Sequence, residues 1–239
     1  PIDQKEARAG LNIPQDAFFF SIVAANKENP PRKGYQEILE GFKLFHDKHP
    51  EAAMIFITQQ QTPTGFPIKQ YATHLGIADR LFFVDDYTAM YKPSSLVIRQ
   101  LYNAADCHIN VSQTEGFGLT IIEAQACGRP VIIQDCQSMP ELIIEGKTGF
   151  AAKTKSKRFT ADLSFVNVAD PDSIYECMEK VYKLVRDDPA QVAIDCRKWI
   201  VENYNIDTIV KEKWIPFLED LQDELLGKVV DKVGGISIK

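Results

Sequence analysis

Two glutamates flank a glycine-containing turn near the middle of the chain. Glu115 comes directly before Gly116 and Gly118, and Glu123 follows eight residues later, within a segment that predicts a helix. The first amides of a helix have no intrahelical acceptor, and the helix dipole adds a positive potential there, so this position suits an anion such as a diphosphate. Because glycine carries no Cβ, a ligand can approach the backbone closely. The spacing predicts a diphosphate at the amides of residues 117–120.

The two carboxylates could bind the rest of such a ligand. Glu123 lies in the second turn of the predicted helix, where a carboxylate could accept two hydrogen bonds from a ribose diol. Glu115, at the turn, could reach a sugar on the far side of the diphosphate. Glycine-flanked turns are common, however, and glutamates near the start of a helix often only complement its dipole. The spacing alone leaves both interpretations open.

The elements around this turn alternate between short apolar runs and longer segments of helical period. The apolar runs predict strands at Phe18–Ala24, Ala53–Thr58, Leu81–Val84, Cys107–Val111 and Val131–Gln134. The intervening segments predict helices at Gly34–His49, Pro67–Leu75, Ser94–Ala105 and Gly118–Cys127. This alternation predicts an α/β fold, a Rossmann-like doubly wound parallel sheet with helices on both faces. In an open parallel sheet, ligands bind beyond the carboxyl ends of the strands, which is where the turn after Val111 would lie.

The pattern changes after Glu141. Lys153–Arg158 is basic and polar, and it predicts a solvated loop or an insertion. Three further helices are predicted, at Pro171–Arg186, Pro189–Glu202 and Asp207–Leu226, and the tail from 227 to 239 has no assignment. We therefore predict one domain over residues 1–226, in which helices follow the α/β unit.

Composition and charge argue against several classes of function. The net charge is −6 and the basic residues are scattered, so no surface for nucleic acid is predicted. No apolar run approaches the roughly 20 residues that a membrane-spanning helix needs. The five cysteines include no close pair, which predicts buried free thiols in a reducing, cytoplasmic setting. The four histidines show no metal-ligand spacing, so we expect no metal site.

The segment Val111–Ile132 resembles a known family. It reads VSQTEGFGLTIIEAQACGRPVI, and it is similar to the E-x7-E signature of the family-4 retaining glycosyltransferases, or glycosyl transferases group 1. The usual form of that signature is EGFG, then apolar residues, then EAxAxGxPVI. The resemblance extends from the first predicted strand to the last predicted helix. It implies a GT-B fold of two Rossmann-like domains, of which this chain resembles the C-terminal one that holds the nucleotide sugar.

The resemblance implies a role for each residue of the signature. Glu123 would hold the ribose hydroxyls, and Glu115 would hold the transferred sugar near the reacting carbon. The diphosphate and sugar would be bound by the amides of Gly116, Phe117, Gly118, Leu119 and Thr120. The donor would be a UDP-, GDP- or ADP-sugar. Because the turn at 116–120 is rich in amides and no DxD-type metal motif lies near it, we expect no metal or other cofactor.

A second match follows the first strand, where the family has Gly-Arg and then Lys-Gly. Here Lys27 follows Asn26, and Arg32 and Lys33 precede the next helix. Cations placed in advance stabilise the charge that a nucleoside diphosphate gains as the glycosidic bond breaks. Lys33 fits the family lysine, whereas Lys27 puts a point charge in place of an arginine fork, for which Arg32 could compensate. Without the resemblance, such a basic loop is usually only solvated.

Two further segments match the family less completely. Tyr87 follows the third predicted strand, in the loop that contacts the nucleobase in the family. Its ring could stack on the base or only pack against the rest of the protein. Residues 137–141 read Gln-Ser-Met-Pro-Glu where the family has Gly-Gly-x-x-Glu, so both glycines are replaced. The identity of the sugar is therefore not predicted.

We expect the donor-binding domain of a retaining, hexosyltransferase-type glycosyltransferase. The acceptor site of the family lies in an N-terminal domain that nothing before Phe18 could supply, so we expect that domain to be missing or on another chain. Trp199, Trp214 and Phe217 resemble residues that pack toward it, and some of them should be exposed. The alternative is a non-catalytic nucleotide-sugar-binding module, or a partner subunit of a two-chain glycosyltransferase. Many relatives use lipid acceptors, which leaves open a peripheral membrane association of the full enzyme.

Overall fold

The chain is built on one parallel β-sheet. The computed structural model describes residues 2–60, 62–85, 94–161 and 163–233, with side chains as far as residue 226. The strands of its main sheet are β1 (Phe19–Val23), β2 (Ala53–Ile57), β3 (Leu81–Phe83), β4 (Cys107–Asn110), β5 (Val131–Gln134) and β6 (Gly149–Ala152). Their spatial order is β3-β2-β1-β4-β5-β6, and every neighbouring pair is parallel. The strand order therefore reverses direction between β1 and β4, as in a doubly wound Rossmann-like fold.

Helices cover both faces of this sheet. Those that precede or connect its strands are α1 (Gln4–Gly10), α2 (Tyr35–His46), α3 (Ile68–Leu75), α4 (Ser95–Ala104) and α5 (Leu119–Ala126). They are followed by α6 (Pro171–Asp187) and α7 (Pro189–Tyr204). The α2 helix packs against α3 and α6, whereas α4 packs against α1 and α5. The predicted fold class is thus confirmed.

The sequence did not predict two of these elements. Strand β6 is only four residues long, and its two alanines and one glycine give little apolar signal. Helix α1 precedes the first predicted strand. Its N-cap is Asp3, whose side chain accepts hydrogen bonds from the amides of Lys5 and Glu6 at 2.9 and 3.1 Å. Both elements are short, and each has a tertiary partner: α1 packs against α4, and β6 pairs with β5.

Lys153–Arg158 was predicted to be a solvated loop or an insertion, and the prediction of a loop was wrong. Thr154–Phe159 forms strand β7, which pairs antiparallel with β8 (Phe165–Ala169), and we call residues 154–169 the β7–β8 hairpin. The charged composition is compatible with a strand because most side chains of β7 are exposed while its backbone is paired. Polarity alone therefore did not distinguish a loop from an exposed strand.

An aromatic layer fixes α2 on the sheet. Phe20 of β1 contacts Phe42 and Phe45 of α2 edge to face, with ring centroids 6.2 and 5.3 Å apart. Tyr182 of α6 also contacts Phe45 edge to face, with ring centroids 5.6 Å apart. Since all three phenylalanines are fully buried, this layer sets the position of the helix whose N-terminus follows Lys33.

The chain divides into two compact units, Pro1–Trp199 and Ile200–Lys239. Past the end of α7, the second unit contains α8 (Ile206–Ile209), a π-helical turn (Val210–Trp214) and α9 (Ile215–Val233). Helix α9 thus extends into the tail that the sequence left unassigned. Trp214 and Phe217 are 54% and 57% exposed, as expected. Trp199 of the first unit is half-buried, and its indole donates to the Leu142 carbonyl at 3.0 Å.

The prediction that the cysteines are buried free thiols is confirmed in part. All five are free, but only Cys107, Cys177 and Cys196 are buried, while Cys127 and Cys136 are half-buried. Within the described residues, no helix combines the length and the apolar character that crossing a bilayer requires.

One glycine allows the loop after β1 to contact the end of β4. Gly34 precedes α2 with a φ of 68°, in the left-handed region. A Cβ at this position would lie 2.7 Å from the Val111 carbonyl oxygen and 2.9 Å from its Cγ2. Both the backbone conformation and the available space therefore require glycine.

We predict that Gly34→Ala destabilises the protein by about 2–5 kcal/mol, because left-handed strain and overpacking add. Gly76→Ala is the matched control, since Gly76 has a similar φ of 73° but no atom within 4 Å of its would-be Cβ. The control should lose only about 1 kcal/mol. Urea unfolding of both variants measures the difference, and equal losses would show that contact with Val111 contributes nothing.

Candidate functional site

The loops after β1 and β4 meet where the strand order reverses. The Gln113 amide donates to the Arg32 carbonyl at 2.8 Å, and Gly34 lies against Val111. Crevices at such a reversal, beyond the carboxyl ends of the strands, are where open α/β sheets bind ligands. The fold therefore brings the two segments singled out in the sequence to the same place.

A cavity of about 300 Å³ opens at this junction. Its described lining residues are Lys33, Asn110, Glu115, Gly116, Phe117, Gly118, Leu119 and Thr120. This volume is at the lower end of the range for small-molecule sites. Of the predicted site residues, the structure thus gathers Lys33, Glu115 and the whole segment 116–120.

Helix α5 begins in the lining of this cavity. Gly118 precedes it with a φ of 104°, and the first bond of the helix runs from the Ile121 amide to the Gly118 carbonyl at 2.9 Å. The amides of Leu119 and Thr120 precede that bond, so their hydrogens have no acceptor within the helix. Asn110 donates to the Thr120 hydroxyl at 3.0 Å and fixes this first turn to the end of β4. The arrangement provides amide donors for an anion.

Lys33 and Glu115 form an ion pair at the cavity. The Lys33 Nζ lies 2.8 Å from the Glu115 Oε2, and each side chain is 18% exposed. Burial acts to raise the pKa of Glu115, but the hydrogen bond and charge of Lys33, with smaller contributions from Ser112 and Arg32, hold the pKa below its ordinary value. Glu115 is therefore ionised, and its charge depends chiefly on one lysine.

The other two predicted cations lie outside the cavity lining. Arg32 donates from Nη1 to the Thr114 carbonyl at 2.6 Å and lies 3.4 Å from the Glu28 carboxylate. It therefore stabilises the turn through the residue before Glu115. Lys27 is exposed, and it is not among the described residues that line the cavity.

Glu123 also lies outside the cavity lining, further along α5. Its Oε2 accepts a hydrogen bond from the buried Tyr102 hydroxyl at 3.0 Å. Burial raises the pKa of Glu123, and the Tyr102 hydrogen bond partly opposes that effect. Tyr102 orients the carboxylate and leaves its remaining lone pairs available as acceptors. Tyr87, predicted at the nucleobase, lies outside the described residues.

Three contacts of the site were not predicted. The Gln137 Oε1 accepts from the Glu115 amide at 2.6 Å, and its Nε2 donates to the Thr114 hydroxyl at 3.0 Å. The Ser138 hydroxyl donates to the Phe117 carbonyl at 3.2 Å. Gln137 has a φ of 53°, so it keeps a conformation that favours glycine while its side chain holds the turn. The replaced glycine in segment 137–141 was the available signal.

Metal ligands do not cluster at the site. Across the described ranges, no group of three or more His, Cys, Asp or Glu side chains is placed to hold a metal ion.

Comparison with known sequences identifies relatives of one kind. The profile of the family described as glycosyl transferases group 1 matches residues 3–166. The chain is similar to the D-inositol 3-phosphate glycosyltransferase of Corynebacterium glutamicum, with 31% identity over 66% of this chain and 37% of the relative. The enzyme of that name from Kribbella flavida is 27% identical, over 72% of this chain and 40% of the relative. The chain thus spans less than half the length of these curated relatives.

Solved structures share the fold. The C-terminal domain of a glycosyl transferase group 1 family protein (LpcC) from Francisella tularensis aligns with a TM-score of 0.63 and 18% identity, over 86% of this chain and all of that domain. Anabaena Alr3699/HepE in complex with UDP-glucose aligns with a TM-score of 0.65 and 19% identity, over 93% of this chain and 53% of that protein. Because both structures are less than 20% identical to this chain, their similarity establishes only the fold, which is that of a GT-B domain.

We predict that Lys33→Met raises the pKa of Glu115 above the ordinary glutamate value, because burial remains and the compensating cation is gone. Lys27→Met, which removes an exposed lysine, is the matched control and should leave that pKa unchanged. An NMR titration of the glutamate side-chain carboxyl carbons reads both directly.

The same substitution should change the pH dependence of stability. In the native protein, the contribution of the lowered pKa is present above the unfolded-state pKa of Glu115 and is lost as pH falls through the folded-state value. In Lys33→Met the raised pKa reverses the sign of that contribution. An unchanged Glu115 pKa in this variant would mean that the ion pair does not control its ionisation.

Proposed function

The chain belongs to the glycosyl transferases group 1 family, and from that membership we propose that it binds the donor of a retaining glycosyltransferase. The donor is a nucleoside-diphosphate sugar, from which the whole enzyme transfers the sugar to an acceptor. The observation that carries the proposal is the Lys33–Glu115 pair beside the amides that begin α5, in one cavity.

The diphosphate lies at the N-terminus of α5 in this proposal. The amides of Leu119 and Thr120 offer hydrogens without intrahelical acceptors, and the helix dipole favours an anion there. The space beside Gly116 is open, since a Cβ there would meet no atom within 4 Å, so the phosphates can approach the backbone. Backbone amides then take the place of a metal ion in binding the phosphate oxygens.

Lys33 serves as the cation for the leaving group. In the structure it pairs with Glu115, so a bound diphosphate would share its ammonium with that carboxylate. As the bond from the sugar to the phosphate breaks, the leaving diphosphate gains negative charge, and Lys33 stabilises that charge more than it stabilises the ground state. Glu115, kept ionised, is then an acceptor for hydroxyls of the transferred sugar.

Glu123 binds the ribose in this arrangement. It lies one helical turn beyond Leu119, which places it about 6 Å further along the helix axis. Tyr102 holds one of its oxygens at 3.0 Å, and the free lone pairs of the carboxylate accept the two ribose hydroxyls. The nucleoside thus runs along α5, away from the sugar at Glu115.

A second domain supplies the acceptor in the enzyme we propose. The curated relatives are more than twice as long as the region they share with this chain, which supports such a division. A structural neighbour was solved in complex with UDP-glucose, so UDP-sugars are the first donors to test.

We predict that Glu123→Ala weakens binding of UDP, GDP and ADP alike by about 1–3 kcal/mol, because all three share the ribose diol. Titration calorimetry in the presence of EDTA measures this, and EDTA should not alter binding by the native chain. A 2′,3′-dideoxy nucleotide is the matched ligand control, and it should bind both proteins nearly equally.

Tyr102→Phe provides the corresponding protein control, since it removes the hydroxyl that orients Glu123 but keeps the carboxylate. Its effect on affinity should be smaller than that of Glu123→Ala. If Glu123→Ala weakens the dideoxy nucleotide as much as the ribonucleotides, the carboxylate does not bind the diol.

We further predict that this chain alone binds donor but transfers sugar negligibly. Positioning of two reactants contributes roughly 7–11 kcal/mol to catalysis, and no acceptor is positioned without the second domain. An acceptor-dependent assay with radiolabelled UDP-sugars tests this, with hydrolysis of the donor measured in parallel. Robust transfer by the chain alone would contradict the two-domain proposal while leaving donor binding intact.

A further inference from the structure

Gln113 lies at a junction of three chain segments. It is 1% exposed and stands between the end of β4 and Glu115. Its amide donates to the Arg32 carbonyl at 2.8 Å, and its carbonyl accepts from the Asn167 amide of β8 at 3.1 Å. Its side-chain Oε1 accepts from Nη2 of Arg158, in β7, at 2.8 Å. One buried residue thus connects the loop after β1, the turn after β4 and the β7–β8 hairpin.

The segment after β1 that Gln113 contacts also carries Lys33. The Arg32 carbonyl accepts from the Gln113 amide, and the Arg32 guanidinium donates to the Thr114 carbonyl at 2.6 Å. The residue before Lys33 is therefore bonded to both of the residues that precede Glu115. A displacement of Gln113 would change the separation of the two charged groups of that ion pair.

Arg158 reaches this junction from an element that contains no predicted site residue. Its bond to Gln113 has an ionised donor, and such bonds are shorter and roughly twice as strong as bonds between neutral groups. Because the guanidinium is planar and rigid, it restricts the direction of its acceptor as well as the distance. Side chains alternate along a strand, so Arg158 is half-buried while its neighbours Lys157 and Phe159 are exposed.

The charge of Arg158 also acts on the first turn of α2. Burial and the nearby Glu40 carboxylate raise the pKa of Glu37, whereas its own backbone amide and the Arg158 guanidinium lower it. Glu37 lies in the first turn of α2, four residues after Lys33. Arg158 thus interacts with both segments that carry the ion pair, by a hydrogen bond with one and by electrostatic attraction with the other.

The hairpin has other attachments to the rest of the domain. The Thr154 hydroxyl accepts from the Gln134 side chain at 3.2 Å, and Val166 is buried. These contacts hold the hairpin without engaging the turn at Glu115. The Arg158 side chain instead bonds the residue that joins the two halves of the site, which indicates a role beyond anchoring the hairpin.

We propose that Arg158 is a positioning residue of the candidate site. By holding the Gln113 side chain, it keeps the Gln113 amide on the Arg32 carbonyl and so keeps Lys33 beside Glu115. The inference rests on the proposed role of that ion pair in donor binding, and it adds a residue outside the family signature that supports the pair. Small displacements matter in such a site, because about 1 Å of misplacement can cost on the order of 100-fold in rate.

Two single variants test the proposal from the two ends of the bond. R158Q removes the guanidinium, whereas Q113M removes the acceptor and keeps the side-chain volume and every charge. Each should raise the pKa of Glu115, because Lys33 is then held less closely, and an NMR titration of the glutamate side-chain carboxyl carbons measures this. Each should also raise the Kd of UDP, by roughly fivefold in titration calorimetry.

Controls separate positioning from charge and from loss of folding. K157Q removes an equal charge from the exposed neighbour of Arg158, and it should leave both measurements unchanged. The double variant R158Q/Q113M should match Q113M alone, because the effects of residues that act through each other do not add. Circular dichroism and urea unfolding verify that each variant is folded.

A titration at high salt decides the question even if Q113M does not fold. At about 1 M salt, charges more than about 3 Å apart are largely screened. The difference in Glu115 pKa between R158Q and the native chain should persist there, because the cause is the position of Lys33.

Three outcomes would overturn the proposal. The pKa of Glu115 would be unchanged in R158Q, or the shifts of the two single variants would add in the double variant. In the third outcome, the difference between R158Q and the native chain would disappear at high salt, and Arg158 would then act only through its long-range charge. If the native chain does not bind UDP while R158Q still raises the Glu115 pKa, the donor proposal fails and the positioning role of Arg158 stands.

Discussion

The close approach of two loops at the centre of the sheet is the constraint on which the candidate site depends. Lys33 and Glu115 are 82 positions apart in the sequence, yet their charged atoms are 2.8 Å apart. They meet because Gly34 lies against Val111 and the Gln113 amide bonds to the Arg32 carbonyl. The aromatic layer under α2 and the parallel pairing of β1 with β4 hold both loops in place. Without that contact, Lys33 would not lie beside the amides that begin α5.

The electrostatics of the site follow from this geometry. A carboxylate at Glu115 loses solvation by burial, and the ion pair with Lys33 more than offsets the loss. At Glu123 the balance is reversed, because the neutral hydroxyl of Tyr102 offsets only part of the effect of burial. Two glutamates eight residues apart on one segment thus have shifts of opposite sign, and the neighbours of each determine the difference.

Much of the fold could be predicted from the sequence, because its central strands are continuous apolar runs bounded by turn residues. Phe19–Val23 and Ala53–Ile57 are almost entirely buried, and this is the pattern a parallel sheet requires. Strand β7 was not predicted because pairing with β8, not its own apolar content, makes it a strand. Local pattern fails where a partner segment provides the stabilisation.

The candidate site likewise has a part that local sequence predicts and a part that it does not. Residues 115–120 were predictable because one turn and one helix start contain them. The ion pair of Glu115 with Lys33, and the bonds of Gln137 and Tyr102, were not, because they join segments distant in sequence. The outward position of Lys27 also depends on the course of a loop, which charge and spacing do not specify. Tyr87 stays a prediction, since it lies outside the described residues.

The hydrogen bonds from Gln137 to the turn at Glu115 have a consequence for protein engineering. Its amide side chain bonds both the Glu115 amide and the Thr114 hydroxyl, from a segment that belongs to neither α5 nor the loop before it. A library that randomises Gln137 and Ser138 would therefore shift the turn by small displacements while leaving Glu115, Lys33 and the helix start chemically intact. Screening such a library on alternative sugar nucleotides would explore selectivity by altering the support of the site rather than its reactive groups.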